Sequence, residues 1–308
     1  MIKNDLPRAP AWVRFSAAVI RYLPAGRYRA TNILPRSSCS FLMAMPEEIG
    51  GYRFRCDLRD TISREVCFTG CYEPQETLLL RSILRPGMTF VDVGANWGYF
   101  TLLASSFVGS GGRVLSLEPD PRLFSILQEN VARAGLDQVT LMQTAAAHEP
   151  GIQSLAGYAE AGGNFGISRI TLKSGDEEGV FRVDSDTLDH ILDLQGLSSV
   201  DLMKMDIEGA EVFALRGLED SLRKRRIKRI LLELHPIELA ELGSTVSAVI
   251  EELQRAQYKG WTVDHSPLAT RETAYNKKME IDRLLRPFDS ASQYDAWPHH
   301  LWLAPGVE

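Results

Sequence analysis

No apolar run in this 308-residue chain reaches the roughly 20 residues needed to cross a bilayer. Cysteine is scarce: Cys39, Cys56, Cys67 and Cys71 all fall in the first quarter, and no two stand in the CxxC spacing that zinc sites favour. Reduced thiols in a cytoplasmic protein are the expectation. A basic excess is missing as well. With 34 Lys and Arg against 40 Asp and Glu the formal net charge is -6, which argues against nucleic acid held on a basic face. The densest basic run, Arg223 to Arg229, lies where a helix is expected to end, and cations there complement the helix dipole. No internal repeat and no low-complexity tract is found, although Leu172 to Gly179 is polar enough for an exposed loop. What is there, 44% apolar and 24% charged residues, suits a globular protein with a substantial core.

The N-terminal "APAWVRFSAAVIRYLP" lacks the continuous apolar run and the small-residue cleavage site of a signal peptide. It reads as a helix packed on its own domain, with a membrane surface or a homodimer partner as other uses of its apolar side. Ala44 to Leu58 has two strand-like pieces around Gly50-Gly51, the mark of a hairpin. Residues 1–63 are therefore expected to form a small helical and β-hairpin extension, and residues 64–308 the main domain. After a helix from Glu73 to Leu84, closed by Pro86-Gly87, strands and helices alternate. The strands are "TFVDVG", "RVLSLEP", "VTLMQTAA", "VDLMKMD" and "RILLELHP"; helices are expected near 98–108, 121–135, 209–224 and 244–257. Short strands apolar on both faces belong to a parallel sheet covered on each side, so the fold is a doubly wound, Rossmann-like α/β sheet.

In such sheets ligands bind where strands end and the winding reverses. The first strand ends in "DVGANWG". Gly94 and Gly98 flank Asn96, where a dinucleotide fingerprint would need glycine for the approach of a pyrophosphate. Asp92 adds a carboxylate, unfavourable beside a pyrophosphate and favourable beside an ammonium or sulfonium. Glu118, ending "LSLE", is placed for the two hydroxyls of a ribose. The expected cofactor is S-adenosylmethionine, whose carboxylate suits the helix N-terminus near Gly98. Thr101, Asp120 and Ala145 are counted with the cofactor set.

"FVDVGANWGYFTLLAS", "LEPDP", "NVARAGL", "LMKMDIEGAEVFALRG" and "LLELHP" resemble, in order and spacing, the FkbM-type family of S-adenosylmethionine-dependent methyltransferases, over roughly residues 64–236. The closing "LWLAP" looks like that family's last strand. The resemblance implies a seven-stranded class I methyltransferase sheet with one antiparallel strand. It also implies O-methylation, often of a sugar hydroxyl or a secondary metabolite. A Tyr-Glu pair, matched by Tyr72 and Glu73, and a "GNxG" loop, matched at Asn164, are further family features. From the residues themselves, Glu73 is placed to reach the methionyl ammonium or a substrate hydroxyl, Asn164 and Ser168 to bond hydroxyls, and Trp297 to stack on a sugar face.

Asp206, Glu208 and His235 sit at the ends of the fourth and fifth strands and are the candidate bases for taking a hydroxyl proton. Glu211 lies about a helical turn from Glu208 and is expected to pair with a basic neighbour. A metal ligand set is not expected. Mg2+ would suit Asp206 and Glu208, but no third acid of suitable spacing stands near them. Two other readings compete: a nicotinamide-dependent oxidoreductase, disfavoured by Asn96 and Asp92, and a non-catalytic scaffold on the same fold.

Overall fold

The computed structural model describes residues 6–157, 168–172, 180–276, 279–288 and 298–307. Two helices, α1 (Ala11–Arg21) and α2 (Arg27–Ile33), precede a two-stranded antiparallel sheet of β1 (Ser40–Ala44) and β2 (Arg53–Asp57). The first strand thus lies ahead of the stretch read as a hairpin. Pro46 has a fixed φ of -58° and no N–H, and its carbonyl accepts from Ile49 and Gly51, so Glu47–Ile49 forms a 3-10 turn instead of a strand. The reversal still falls at Gly50 and Gly51, both left-handed. Helix α3 (Thr61–Thr69) follows, capped by Asp60, whose side chain accepts from the Ser63 amide at 2.7 Å. It spans the position where the sequence places its domain boundary. Helix α4 (Pro74–Ile83) opens on a proline, which needs no N–H in a first turn.

The main body runs β3 (Thr89–Val93), α5 (Tyr99–Val108), β4 (Arg113–Leu117), α6 (Pro121–Ala134) and β5 (Val139–Met142). Then β6 (Ala145–Ala146), β7 (Gly151–Ala156), β8 (Arg169–Ile170) and β9 (Val180–Asp186) form a separate four-stranded sheet in the order β6-β9-β7-β8. "VTLMQTAA" is therefore two strands in two sheets. Beyond lie α7 (Leu188–Leu194), β10 (Leu202–Met205), α8 (Glu211–Arg216), α9 (Glu219–Arg223), β11 (Arg229–Glu233), α10 (Pro236–Glu241) and α11 (Val246–Arg255). The helix expected over 209–224 is broken at Gly217, where a Cβ would come within 2.0 Å of the Ala147 carbonyl oxygen. The chain ends with β12 (Lys259–Val263), α12 (Pro267–Tyr275), β13 (Leu285–Pro287) and β14 (His299–Leu303).

The large sheet has the order β13-β12-β14-β11-β10-β3-β4-β5. Strands β5, β4, β3, β10 and β11 are parallel, and β14 enters antiparallel between β11 and β12. Seven strands were expected and the sheet has eight. The eighth, β13, pairs antiparallel with β12, so the sheet has two antiparallel strands where one was expected. Three residues ending in Pro287 cover the edge and leave little to pair with another chain. Apolar layers lie on both faces, one built around Leu79, Phe90 and Leu102 and the other around Val91, Met203 and Leu232. The first is continuous with Val13, Phe41 and Phe54 of the N-terminal segment.

From β3 the chain steps outward through β4 and β5, then returns to the other side of β3 with β10 and β11. The winding reverses between β3 and β10, and the carboxyl ends of these two strands are where a ligand crevice is expected.

Candidate active site

A cavity of about 300 Å³ opens at that reversal, within the size range of small-molecule sites. One wall is the turn after β3. Gly94 has φ 87° and a Cβ there would sit 2.0 Å from the Asp206 carbonyl oxygen, so only glycine lets the two strand ends meet. Asn96 also has a positive φ, 50°, and its side-chain oxygen accepts from the Trp97 amide at 2.7 Å. Asparagine is among the few residues that take this conformation readily. The missing central glycine is therefore replaced by the residue best able to keep its backbone. Asn96→Gly is expected to unfold within about 0.5 kcal/mol of the wild type, whereas Asn96→Val should cost about 1–3 kcal/mol. Urea titration of both variants checks this, and equal midpoints for the two would refute it.

Glu118 lines the cavity at the end of β4. One carboxylate oxygen accepts from the Asn96 amide at 2.8 Å and the other from the Asp120 amide at 2.9 Å. Burial pushes its carboxyl up to about 8, against the pull of those two bonds. Gly94, Asn96 and Ala145 face the same space. Five other residues of the expected cofactor set, Glu73 among them, do not line it. Asp92 is buried behind the wall, accepting from the Thr101 hydroxyl at 2.7 Å, and Thr101 in turn meets Ser116 at 2.8 Å. Burial raises Asp92 to about 6. Gly98 packs against Leu127, and Asp120 caps α6 while accepting from Arg122 and Ser168. Ser168 itself lines the cavity, as does Tyr72. Asn164 and Trp297 lie outside the described residues.

The opposite wall is acidic. Asp206, Glu208 and His235, separate in sequence, are brought together: His235 Nε2 lies 3.7 Å from Asp206 Oδ1 and 3.5 Å from Glu208 Oε2. The other ring nitrogen donates to Glu211 Oε1 at 2.9 Å, so the basic neighbour of Glu211 is His235. Two partners were not read from the sequence. Lys204, on the same face of β10 two residues before Asp206, donates to it at 2.8 Å. Glu233, the last residue of β11, places an oxygen 3.8 Å from His235 Nε2. Strand periodicity of two could have found both, since 204 with 206 and 233 with 235 share faces.

This crowding sets the protonation states. Burial raises Glu208 to about 7, with His235 opposing. For His235 burial works the other way, but the bond to Glu211 and the charges of Asp206 and Glu208 outweigh it and hold the imidazole charged up to about 10. Asp206 would rise on burial, yet Lys204 and then His235 keep it below the usual carboxylate range. Glu73, left-handed at φ 40° and with Oε2 buried without a hydrogen bond, is pushed well above its ordinary value by burial and then by Glu233. Glu208 is left-handed too, at φ 51°. Three residues of the site thus hold a backbone form that is sparsely populated outside glycine, a strain that clusters at functional sites.

Among the described residues two donor groups have atoms within 4.8 Å of one another, Asp206 with Glu233 and His235, and Glu76 with His265 and His299. The third acid missing beside Asp206 and Glu208 in the sequence is thus Glu233, from the neighbouring strand. In that group, however, Lys204 already stands as the cation. In the other, the imidazoles of His265 and His299 stack 3.7 Å apart and 12° from parallel. Both rings donate to a single oxygen of buried Glu76, at 2.7 and 3.2 Å.

The model of the methyltransferase FkbM domain matches residues 92–259. The AMB antimetabolite synthetase AmbE of Pseudomonas aeruginosa is 28% identical over 205 residues, 56% of this chain and 10% of that protein. The 31-O-demethyl-FK506 methyltransferase FkbM of Streptomyces tacrolimicus is 28% identical over 189 residues, 53% of this chain and 71% of that one. A solved methyltransferase FkbM from Methylobacillus flagellatus is 16% identical with a TM-score of 0.42, over 78% of this chain and 52% of that structure. The chain therefore spans a tenth of AmbE and about half of the solved protein. With the family model covering more than half of the sequence, and the crevice standing where β3 and β10 part, the chain belongs to the FkbM methyltransferase family.

Proposed function

We propose that this protein is an S-adenosylmethionine-dependent O-methyltransferase whose acceptor is a hydroxyl of a sugar, a glycan precursor or a secondary metabolite. The observation that carries the reading is Glu208, a cavity-lining carboxylate raised by burial to about 7, where a general base for neutral pH belongs. The residues fit the cofactor. Each oxygen of Glu118 has one backbone donor and keeps capacity for a ribose hydroxyl. The turn at Gly94 and Asn96 lines the cavity, and Asp206, kept ionised by Lys204, offers a carboxylate at the far end to an ammonium or a sulfonium. When bound, S-adenosylmethionine supplies an electrophilic methyl group.

Glu208 receives the proton of the acceptor hydroxyl. His235, already protonated, stays as its cationic neighbour, and Asp206, kept ionised by Lys204, orients the acceptor from the other side. Tyr72 and Phe100 close the cavity with aromatic surface. Asp92, Thr101, Asp120 and Glu73 act as supports behind the cavity wall. Ser168, with Asn164 and Trp297, belongs to the acceptor side. The relative named 31-O-demethyl-FK506 methyltransferase FkbM takes, by that name, an O-demethyl compound, which supports O-methylation here. Residues 1–63 serve as an extension of a catalytic domain of residues 64–308, with α3 running across the boundary. No helix among the described residues is long and apolar enough to cross a membrane, and all four cysteines are free, in keeping with a cytoplasmic setting. Neither nucleic acid nor Mg2+ has a part in this reading.

Calorimetric titration tests it. Saturable binding of S-adenosylmethionine, weakened at least about tenfold by Glu118→Ala, unchanged by EDTA and not matched by NADH, is expected. Binding of NADH alone would restore the oxidoreductase reading, and binding of neither would favour a scaffold.

A further inference from the structure

The outer side of α1 is apolar, where a surface helix ordinarily turns polar residues to water. Val13, Ala17 and Ile20 are buried on its inner side. Trp12 (41% exposed), Phe15 (73%), Val19 (47%) and Tyr22 (86%) follow at i, i+3, i+7 and i+10 and form a stripe along the other. Charge in this segment is one-sided. From Leu6 to Pro46 there are six arginines and not one Asp or Glu, in a chain whose net charge is -6. Arg21 donates to the Val66 and Cys67 carbonyls and Arg27 lies over the Tyr275 ring. Arg8, Arg14, Arg29 and Arg36 are exposed, and no ion pair among the described residues involves them. Ile33, one turn beyond Arg29 on α2, is 86% exposed.

We infer that this face docks on the surface of an anionic lipid bilayer. Apolar and aromatic side chains at helical spacing, flanked by arginines, are what an interfacial helix presents, with Trp and Tyr suited to the headgroup level. Anionic headgroups complement the unpaired arginines. A second copy of the chain does so poorly, because a two-fold contact sets the same basic patch against itself. The docking face also communicates with the cavity through one element. Helix α1 packs on α3, and Asp60, Thr61 and Ile62 at the start of α3 line the cavity. A bilayer under α1 therefore lies one helix away from the acceptor.

Flotation of the full chain with vesicles of phosphatidylcholine alone, or mixed with phosphatidylglycerol, is the test. Binding to the mixed vesicles at least about tenfold tighter than to the neutral ones, falling as salt is raised, is expected. The double variants Phe15→Ser/Val19→Ser and Arg14→Glu/Arg29→Glu should each lose about tenfold while their circular dichroism melts stay like the wild type. No binding, equal binding to both vesicles, or wild-type binding by either variant overturns the inference. So does a concentration-dependent dimer that Phe15→Ser/Val19→Ser abolishes, which would give the stripe to a second copy.

Discussion

Glu208→Gln is expected to lower kcat by about 10³-fold while S-adenosylmethionine binds within a few-fold of the wild type, because it removes the proton acceptor and little else. Glutamine keeps the length of the side chain and, being neither glycine nor asparagine, keeps the strained φ of 51°. The substitution thus isolates the charge from the backbone. A kcat within fivefold of the wild type, measured by methyl transfer at saturating cofactor, would remove Glu208 from the mechanism.

The pH profile supplies a second readout. A base works when deprotonated, so kcat/KM should rise with pH through an inflection near 7, the value to which burial pushes Glu208. His235 pulls that value down, as a cation 3.5 Å away must. Replacing His235 by Gln should therefore move the inflection to higher pH while the plateau at alkaline pH falls less than in Glu208→Gln. A positioning role without charge would leave the inflection in place.

How much of this was legible in the sequence depended on whether the residues concerned stand in one local stretch. "DVGANWG" announces its turn because the glycines, Asn96 and the strand that feeds them are contiguous. Asp206, Glu208 and His235 were found because strand ends converge wherever a parallel sheet reverses, whatever the details. Asn96 was read only as a residue that a pyrophosphate would not tolerate, and its left-handed φ needed coordinates. The roles of Asp92 and Thr101 also changed. They face each other across the base of the turn, because Asp92 points into the sheet beside Lys204, its register partner on β10. Glu76, His265 and His299 could not have been joined from sequence at all. The pair of Glu76 and His265 is separated by 189 residues, and His299 reaches them only because β14 inserts between β11 and β12. The eighth strand and the four-stranded side sheet were missed for a similar reason. β6, β8 and β13 are only two or three residues long, and the longer β7 and β9 are half-exposed and defined by partners more than by pattern.

Lys204→Met should produce the largest loss of stability of any change in the site, about 3–5 kcal/mol at pH 8. Its ammonium is buried over the Phe100 ring and bonded to Asp206, with Glu73, Glu233 and Asp92 also acting on it. Burial alone would lower its pKa, and the four carboxylates outweigh that and hold it charged. Without it, Asp206 loses the partner that keeps its pKa low, and Glu73 and Glu233, already raised by burial, lose a neighbour that pulls theirs down. Carboxyls whose folded pKa lies above the unfolded value bind extra protons on folding, so stability is lost as pH rises between the two values. The deficit of Lys204→Met should accordingly be small near pH 4.5 and widen toward pH 8. Adding Asp206→Asn removes the charge left most exposed to the loss, and the double variant should recover at least about half of the deficit. Urea unfolding of the four proteins of this cycle at both pH values measures each term. A deficit independent of pH, or no recovery in the double variant, would mean that Lys204 serves as packing rather than as the cation around which four acids are buried.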